Sequence, residues 1–441
     1  MKLAALLLAA AALALGSPPV QAAPSLPDVK TRAAALEPRL IAWRRDIHQH
    51  PELGNMEVRT AALVAGHLRA LGLEVRTGVA GTGVVGVLRG GAPGPNIALR
   101  ADMDALPVKE PAGLPFASKA KGVYQGAEVD VMHACGHDAH VAILMATAEL
   151  LSGMRQDLRG TVTFIFQPAE ETPADFAPDG VRDWGAKRMI REGVLDAPKI
   201  DAIFGLHVSG GAPSGQISWR PGPMMAGADS FTINVKGRQT HGSMPWAGVD
   251  PIVLAAQVVT GVQTIVSRQI DLSKEPAVVS IGSIHGGNRM NIIPGDVKME
   301  GTVRTYDRGI QEEIRTRLKR TAESIAESGG GSAEVSVIEL YGPTINDPAL
   351  TERMGPVLKA VAGDNHGTAP KATSSEDFSF YQQRAPGLFF FLGVTPKDQI
   401  GKAAPNHSPQ FMIDESALVT GVQALSMLAL TAMEPAAPPP R

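Results

Sequence analysis

A chain of 441 residues, 44% hydrophobic and 19% charged, reads as a soluble globular protein of one large or two ordinary domains. Its 44 acidic and 41 basic residues give a net charge of −3 without long runs of either sign, so no electrostatic footprint for nucleic acid or an anionic membrane is present and a small-molecule partner is expected. The single cysteine, Cys135, excludes an internal disulfide.

The chain opens with Lys2, an apolar run over 3–15 and a small-residue stretch ending Val20-Gln21-Ala22-Ala23. This is a secretory signal pattern, too short to span a bilayer, so residues 1–23 are expected to be removed and the mature chain to be periplasmic or secreted, with no membrane anchor. A lone thiol in an oxidising compartment needs burial, a metal or a reaction to account for it. Helical spacing follows over 31–48 and 58–71, then β-rich runs over 84–88 and 97–100, and a helix over 139–151 that Asp138 is placed to cap. A buried strand over 161–166, a helix over 185–192 and an apolar strand over 202–207 complete the first half. This alternation predicts an α/β fold with a largely parallel central sheet.

From about 215 the order becomes strand (230–235), helix (251–266), two strands (277–284, 297–304), helix (311–328) and strand (333–340). That order predicts an inserted ferredoxin-like α+β domain over 215–341. A helix over 348–361, a strand over 388–393 and a helix over 415–433 then return to the first domain, which is thereby split into 24–214 and 342–433. The proline- and alanine-rich residues 434–441 are expected to form a disordered tail.

The densest chemistry is Met132-His133-Ala134-Cys135-Gly136-His137-Asp138-Ala139-His140. Cys135 and His137, two positions apart about a glycine, can present a thiolate and an imidazole to one point, a donor pair suited to zinc, manganese, cobalt or nickel. Taken alone, the same stretch also fits a histidine-rich loop opening a helix. Gln167-Pro168-Ala169-Glu170-Glu171 puts adjacent carboxylates at the C-terminal end of a strand, where open α/β sheets build their sites. One can bind metal while the other takes a proton from a water held by the metal; a solvated acidic loop is the plainer alternative. His207 ends another apolar strand, His407 lies in Pro405-Asn406-His407-Ser408-Pro409, and Asp102 and Asp104 follow a strand where they could support a metal or orient a ligand histidine. Individually these four are weak signals.

Together, and in this order, these stretches resemble the M20 metallopeptidase and amidohydrolase family, in the branch of aminoacylase-like, hippurate hydrolase and auxin-conjugate hydrolase enzymes. The resemblance covers nearly all of the mature chain and includes 46–52, 100–107, 135–140, 167–171, 286–294, 375–378 and 406–408. It implies hydrolysis of the amide bond of N-acyl amino acids or related small conjugates. Cys135 is implied to bridge two divalent ions, manganese or zinc foremost with cobalt or nickel possible, and His137, Glu171, His207 and His407 to complete the coordination. Glu170 is implied as general base and acid, with Asp104 supporting the ligands. The resemblance makes 24–214 and 342–433 the catalytic domain and 215–341 a lid through which a homodimer forms. His241 of the lid is implied to reach the scissile carbonyl, often across the dimer, and Asn291 and Arg304 to meet the substrate carboxylate or the developing oxyanion.

Two departures stand out: Trp246 occupies a position where the branch often has a second histidine, and the loop over 172–183 is longer and more aromatic than the common form. A dipeptidase or carboxypeptidase activity on the same fold is the nearest alternative, since both substrates place an amide beside a free carboxylate. A metal-independent cysteine hydrolase using Cys135, and a non-catalytic binding protein, are readings from other classes; the first leaves Glu170, Glu171 and the spare histidines without a task, the second leaves Glu170 without one.

Overall fold

The computed structural model describes residues 25–176 and 183–434. The expected signal segment, the tail from 435 onward and the part of the 172–183 loop over 177–182 lie outside these residues. In chain order, α1 (Leu26–Gln49) and α2 (Val58–Ala70) precede β1 (Glu74–Val79), β2 (Gly83–Arg89) and β3 (Ala92–Asp102). Next come α3 (His137–Ser152), β4 (Arg159–Gln167), α4 (Gly185–Arg191), β5 (Ala202–Pro213) and β6 (Ile217–Trp219). The middle of the chain forms β7 (Gly227–Lys236), α5 (Pro251–Thr264), β8 (Ala277–Gly286), β9 (Asp296–Thr305), α6 (Arg308–Ser328) and β10 (Ser332–Tyr341). It ends with α7 (Pro348–Ala362), β11 (His366–Thr368), α8 (Phe378–Gln382), β12 (Gly387–Thr395) and α9 (Leu418–Met433).

The helix expected from 31 begins at Leu26 because Ser25 and Asp28 form a reciprocal capping box with Pro27 in the first turn. Asp138 does not cap α3. Gly136 holds the N-cap position at φ 99°, and Asp138 is buried in the first turn, where it meets Arg44 Nε and His48 Nδ1, each at 2.8 Å. Helix α3 is buried on nearly every side, which explains why its sequence shows a continuous apolar run rather than one apolar stripe.

The large sheet has the order β1-β2-β4-β3-β5-β12-β6-β11. Its centre, β4-β3-β5-β12, is parallel, and the β1-β2, β2-β4 and β12-β6 pairings are antiparallel. The parallel strands are buried on both faces, as their apolar sequences require. On one face α1, α2, α3, α7 and α9 build the main core; on the other, α4 and α8 cover a smaller core centred on Phe378, Tyr381 and Phe389. The segments Pro251–Gln269 and Glu415–Met433 have the length and apolarity of a membrane span. Their apolar sides are instead used in packing: Leu254, Val258 and Val262 against the small sheet, and Leu418, Val422 and Leu425 in the main core.

The middle segment makes a four-stranded antiparallel sheet of order β8-β9-β7-β10 with α5 and α6 packed on it, the topology of a ferredoxin-like unit. Two side chains at the ends of its strands reach the large domain. Arg304 Nη1 donates to Ser375 Oγ at 2.7 Å, and the Tyr341 hydroxyl donates to the Glu170 carbonyl at 2.9 Å.

Candidate metal centre

β3 and β4 end on the registered pair Asp102 and Gln167, whereas β5 does not end at His207 as its sequence suggested but continues to Pro213. His207 lies two residues beyond the last β3–β5 pair, Arg100 with Gly205, and so reaches the same edge. Loops leaving these ends carry Asp104, Glu170 and Glu171, and the turn into α3 adds Cys135 and His137. That turn requires glycine: besides its positive φ, a Cβ on Gly136 would lie 2.3 Å from Val208 Cγ2. Ala169 (φ 50°) and Thr172 (φ 139°), on either side of the two glutamates, also hold positive φ, as does His407 (φ 70°). Asn406 fixes the last segment by donating to the carbonyls of Cys135 (2.8 Å) and Val208 (3.2 Å) and accepting from Gly210 N–H.

The five expected ligands converge. Cys135 Sγ is 3.3 Å from His207 Nε2 and 3.2 Å from His407 Nε2, and His407 Nε2 is 2.9 Å from Glu171 Oε1. Two groups of their donor atoms, each within 4.8 Å, together take in all five: Cys135, His137 and His207, and Cys135, Glu171 and His407. Cys135 belongs to both. His137 and Glu171 also lie within that distance of Glu170. His207 Nδ1 lies 2.8 Å from the Val208 carbonyl and His137 Nδ1 lies 2.9 Å from the Asp104 carbonyl. Each carbonyl fixes a proton on Nδ1, so the neutral form of either ring carries its lone pair on Nε2, facing the cluster. His137 Nε2 is buried without a hydrogen-bond partner; the nearest carboxylate oxygen, on Asp102, is 3.8 Å away.

Electrostatics agree with a cationic occupant. Burial pushes the Cys135 thiol up, so a thiolate there needs a positive charge beside it. Burial and the neighbouring His140 keep His207 well below its usual range, and therefore neutral. Burial opposes protonation of His137, but Asp102 and Cys135 outweigh it and hold its pKa well up. The hydrogen bonds to Cys135 and Glu171 raise His407 to about 10. An orphaned buried imidazole nitrogen, a shared sulfur and carboxylates on the same point fit two divalent ions.

Glu170 is buried beside this cluster, its Oε1 accepting from Asp377 N–H at 3.2 Å. Burial, then Glu376 and Glu171, raise its pKa well above the carboxylate range. Asp104 supports two ligand positions: Oδ2 accepts from Glu171 N–H at 2.9 Å and Oδ1 lies 3.3 Å from His137 Nδ1. A cavity of about 1100 Å³ opens above these groups, with Arg304 and Tyr341 of the small domain in its wall. His241 and Asn291 are not part of that wall. They sit together in the small domain, where the segment 240–241 pairs antiparallel with 292–293 from beyond α5 and β8, Gly242 N–H donates to the Asn291 carbonyl and His241 Nδ1 lies 2.7 Å from Ser243 Oγ.

Sequence reasoning did not single out several residues that organise the site. Arg100 is completely buried against Asp102 (2.6 Å), Glu376 (2.9 Å) and Asp377 (2.9 Å). His140 bridges Asp102 Oδ1 (2.5 Å) and Val208 N–H (2.9 Å). Glu57 accepts from Ala169 N–H at 2.8 Å and from the Thr82 hydroxyl, bracing the turn before Glu170. An arginine inside an otherwise apolar strand was the available signal for the first.

Comparison with known proteins gives concordant results. The profile described as peptidase family M20/M25/M40 matches residues 98–431. Thermostable carboxypeptidase 2 of Saccharolobus solfataricus is 42% identical over 91% of this chain and 97% of its own length. N-acetylcysteine deacetylase of Bacillus subtilis is 38% identical over 91% of this chain and 98% of its own. A Bacillus subtilis crystal structure described as a dinuclear metal binding peptidase from the M20 family superposes with a TM-score of 0.74 at 35% identity, covering 91% of this chain and 99% of that one.

Proposed function

The chain belongs to peptidase family M20/M25/M40 and is a hydrolase of that family; from this premise we propose that it cleaves the amide bond of N-acyl amino acids or related small conjugates, using two divalent ions. One observation carries the reading: two groups of donor atoms share the Cys135 sulfur, with the buried carboxyl of Glu170 beside them and a substrate-sized cavity above.

In this proposal Cys135, His137, Glu171, His207 and His407 hold the ions, with manganese or zinc the first candidates. When bound, the ions supply Lewis acidity, polarising the amide carbonyl and lowering the pKa of water to about 7. The chain's own residues do the rest. Glu170 accepts a proton from the attacking water as its oxygen bonds to the carbonyl carbon. It returns that proton to the amide nitrogen as the carbon–nitrogen bond breaks. Its raised pKa suits a group that must hold the proton between the two steps. Arg304, half-buried in the cavity wall and steadied by Ser375, offers its guanidinium to the free carboxylate of the substrate.

His241 and Asn291 lie outside the cavity of their own chain, and the segments that carry them also carry exposed Met244, Trp246 and Met290. This favours a homodimer in which the small domain acts as a lid and presents His241 to the partner's substrate. The signal pattern of 1–23 supports export of the mature enzyme.

The test is elemental analysis of the purified protein with N-benzoylglycine hydrolysis before chelation, after chelation and after manganese or zinc is restored. Bound metal with metal-restorable turnover is expected. Turnover that ignores chelation would make Cys135, with His207 and His407 within 3.3 Å, a nucleophile instead. The carboxypeptidase relative motivates a parallel assay on dipeptides and carboxypeptidase substrates, which separates that activity from N-acyl amino acid hydrolysis.

A further inference from the structure

The cavity extends beyond the ligand cluster along the edge of the large sheet. His207 of β5, Phe391 of β12, Ser218 of β6 and Gly367 of β11 are registered partners across four neighbouring strands. Registered residues point to the same face, so these four form one row, roughly 14 Å long at ~4.8 Å per strand. All four line the cavity. The row therefore runs from a proposed metal ligand, across an aromatic ring, past a hydroxyl, to a residue without a side chain.

The alternation along β6 supports this direction. Ile217 and Trp219 pack into the main core on the opposite face, while Ser218 faces the cavity. Ser218 is 8% exposed, yet its hydroxyl has no hydrogen-bond partner among the described residues. The side-chain amide of Gln216, two positions earlier and also in the wall, is equally unpartnered there. A Cβ on Gly367 would meet nothing within 4 Å, so the far end is open. None of the wall residues contributed by β6, β11 or β12 is charged.

We propose that this row is a subsite for the acyl arm of the substrate, and that it selects a flat, uncharged aromatic acyl group carrying a hydrogen-bonding substituent at its far end. The ring lies against Phe391, the substituent meets Ser218 and Gln216, and Gly367 leaves room for it. A charged terminus loses its hydration along this row without gaining an ionic partner. The inference rests on the amide-hydrolase reading above and specifies which conjugates that site takes.

The test compares N-acetyl-, N-benzoyl-, para-carbamoylbenzoyl- and para-carboxybenzoylglycine on the metal-loaded enzyme. The expected order of kcat/KM is carbamoylbenzoyl, then benzoyl, then acetyl, with the carboxybenzoyl compound below benzoyl. Gly367→Val, which fills open space, lowers kcat/KM for the carbamoylbenzoyl compound by about tenfold or more and leaves the acetyl compound within about twofold. Ser218→Ala removes about fivefold of the carbamoyl advantage and leaves benzoyl and acetyl unchanged. Calorimetric binding of the same four compounds to the metal-loaded Glu170→Ala protein reads the arm without turnover. If wild type cleaves the acetyl compound but both substitutions act equally on all substrates, or on none, the subsite is overturned while the hydrolase reading stands. If no compound is cleaved but the carbamoylbenzoyl probe binds and Gly367→Val abolishes its binding, the substrate reading fails and the subsite stands.

Discussion

The backbone N–H of Asp377 donates to Glu170 Oε1 at 3.2 Å, although the two residues are 207 positions apart. The proposed base is thus aimed by a segment of the chain that returns to the large domain only after the small domain is complete. Removing the carboxyl leaves this frame and the ligand cluster in place. Glu170→Ala should therefore retain its metal and lose about a hundredfold to ten-thousandfold in kcat. Metal analysis and steady-state kinetics on the same preparation check this; turnover within a few fold of wild type would remove Glu170 from the chemistry.

Arg100 touches three buried carboxylates with one guanidinium, and it also donates from Nε to Gln167 Oε1 at 3.0 Å. Arg100→Met fills similar volume but leaves Asp102, Glu376 and Asp377 without their cation. The expected loss is about 3–5 kcal/mol of stability, read from urea unfolding of the chelated protein. A loss below about 1 kcal/mol would show that the carboxylates share protons well enough to do without it.

Cys135 stands in both groups of donor atoms, so its removal damages both. Cys135→Ala is expected to lower the metal content of the purified protein while circular dichroism stays that of the wild type. Unchanged stoichiometry would take the thiolate out of the coordination.

Glu57 yields a pH prediction. Burial, and then the charge of Asp104, lift its pKa from 4.5 to about 8. Between those values the unfolded chain releases a proton that the folded chain keeps, so this group makes stability fall as pH rises through the window. Glu57→Gln keeps an acceptor for Ala169 N–H and does not titrate. Urea unfolding of chelated protein at pH 5 and pH 8 should show the variant gaining on wild type at the higher pH. Parallel pH dependences would mean that Glu57 is ionised in the folded chain.

The elements that sequence reveals best are those whose pattern follows from one local requirement. The alternation of apolar strands and helices signals the α/β sheet, and the crowding of Cys135, His137 and His140 signals a site, because both are written in consecutive residues. What escapes is set by distant partners. Asp138 has the residue type of a cap, but the conformational demand at Gly136 takes that position, and Arg44 and His48 of α1 claim the carboxylate. Arg100 reads as an interruption of a strand until Glu376 and Asp377 arrive beside it. β6 is only three residues long, too short for a periodic signal, although Ser218 on it faces the cavity.

Cys135 and His407 are 272 positions apart, and Glu171 and His207 lie between them. An ion gripped by such a set closes long loops of chain and withdraws conformational freedom from the unfolded state, as a covalent cross-link does. A protein with one cysteine has no internal disulfide to serve that purpose, so in the proposed centre the metal would double as a removable staple. Metal scarcity would then cost the chain more than its Lewis acids: the segments around 135, 171, 207 and 407 would be released together, and proteolytic lifetime would shorten along with turnover.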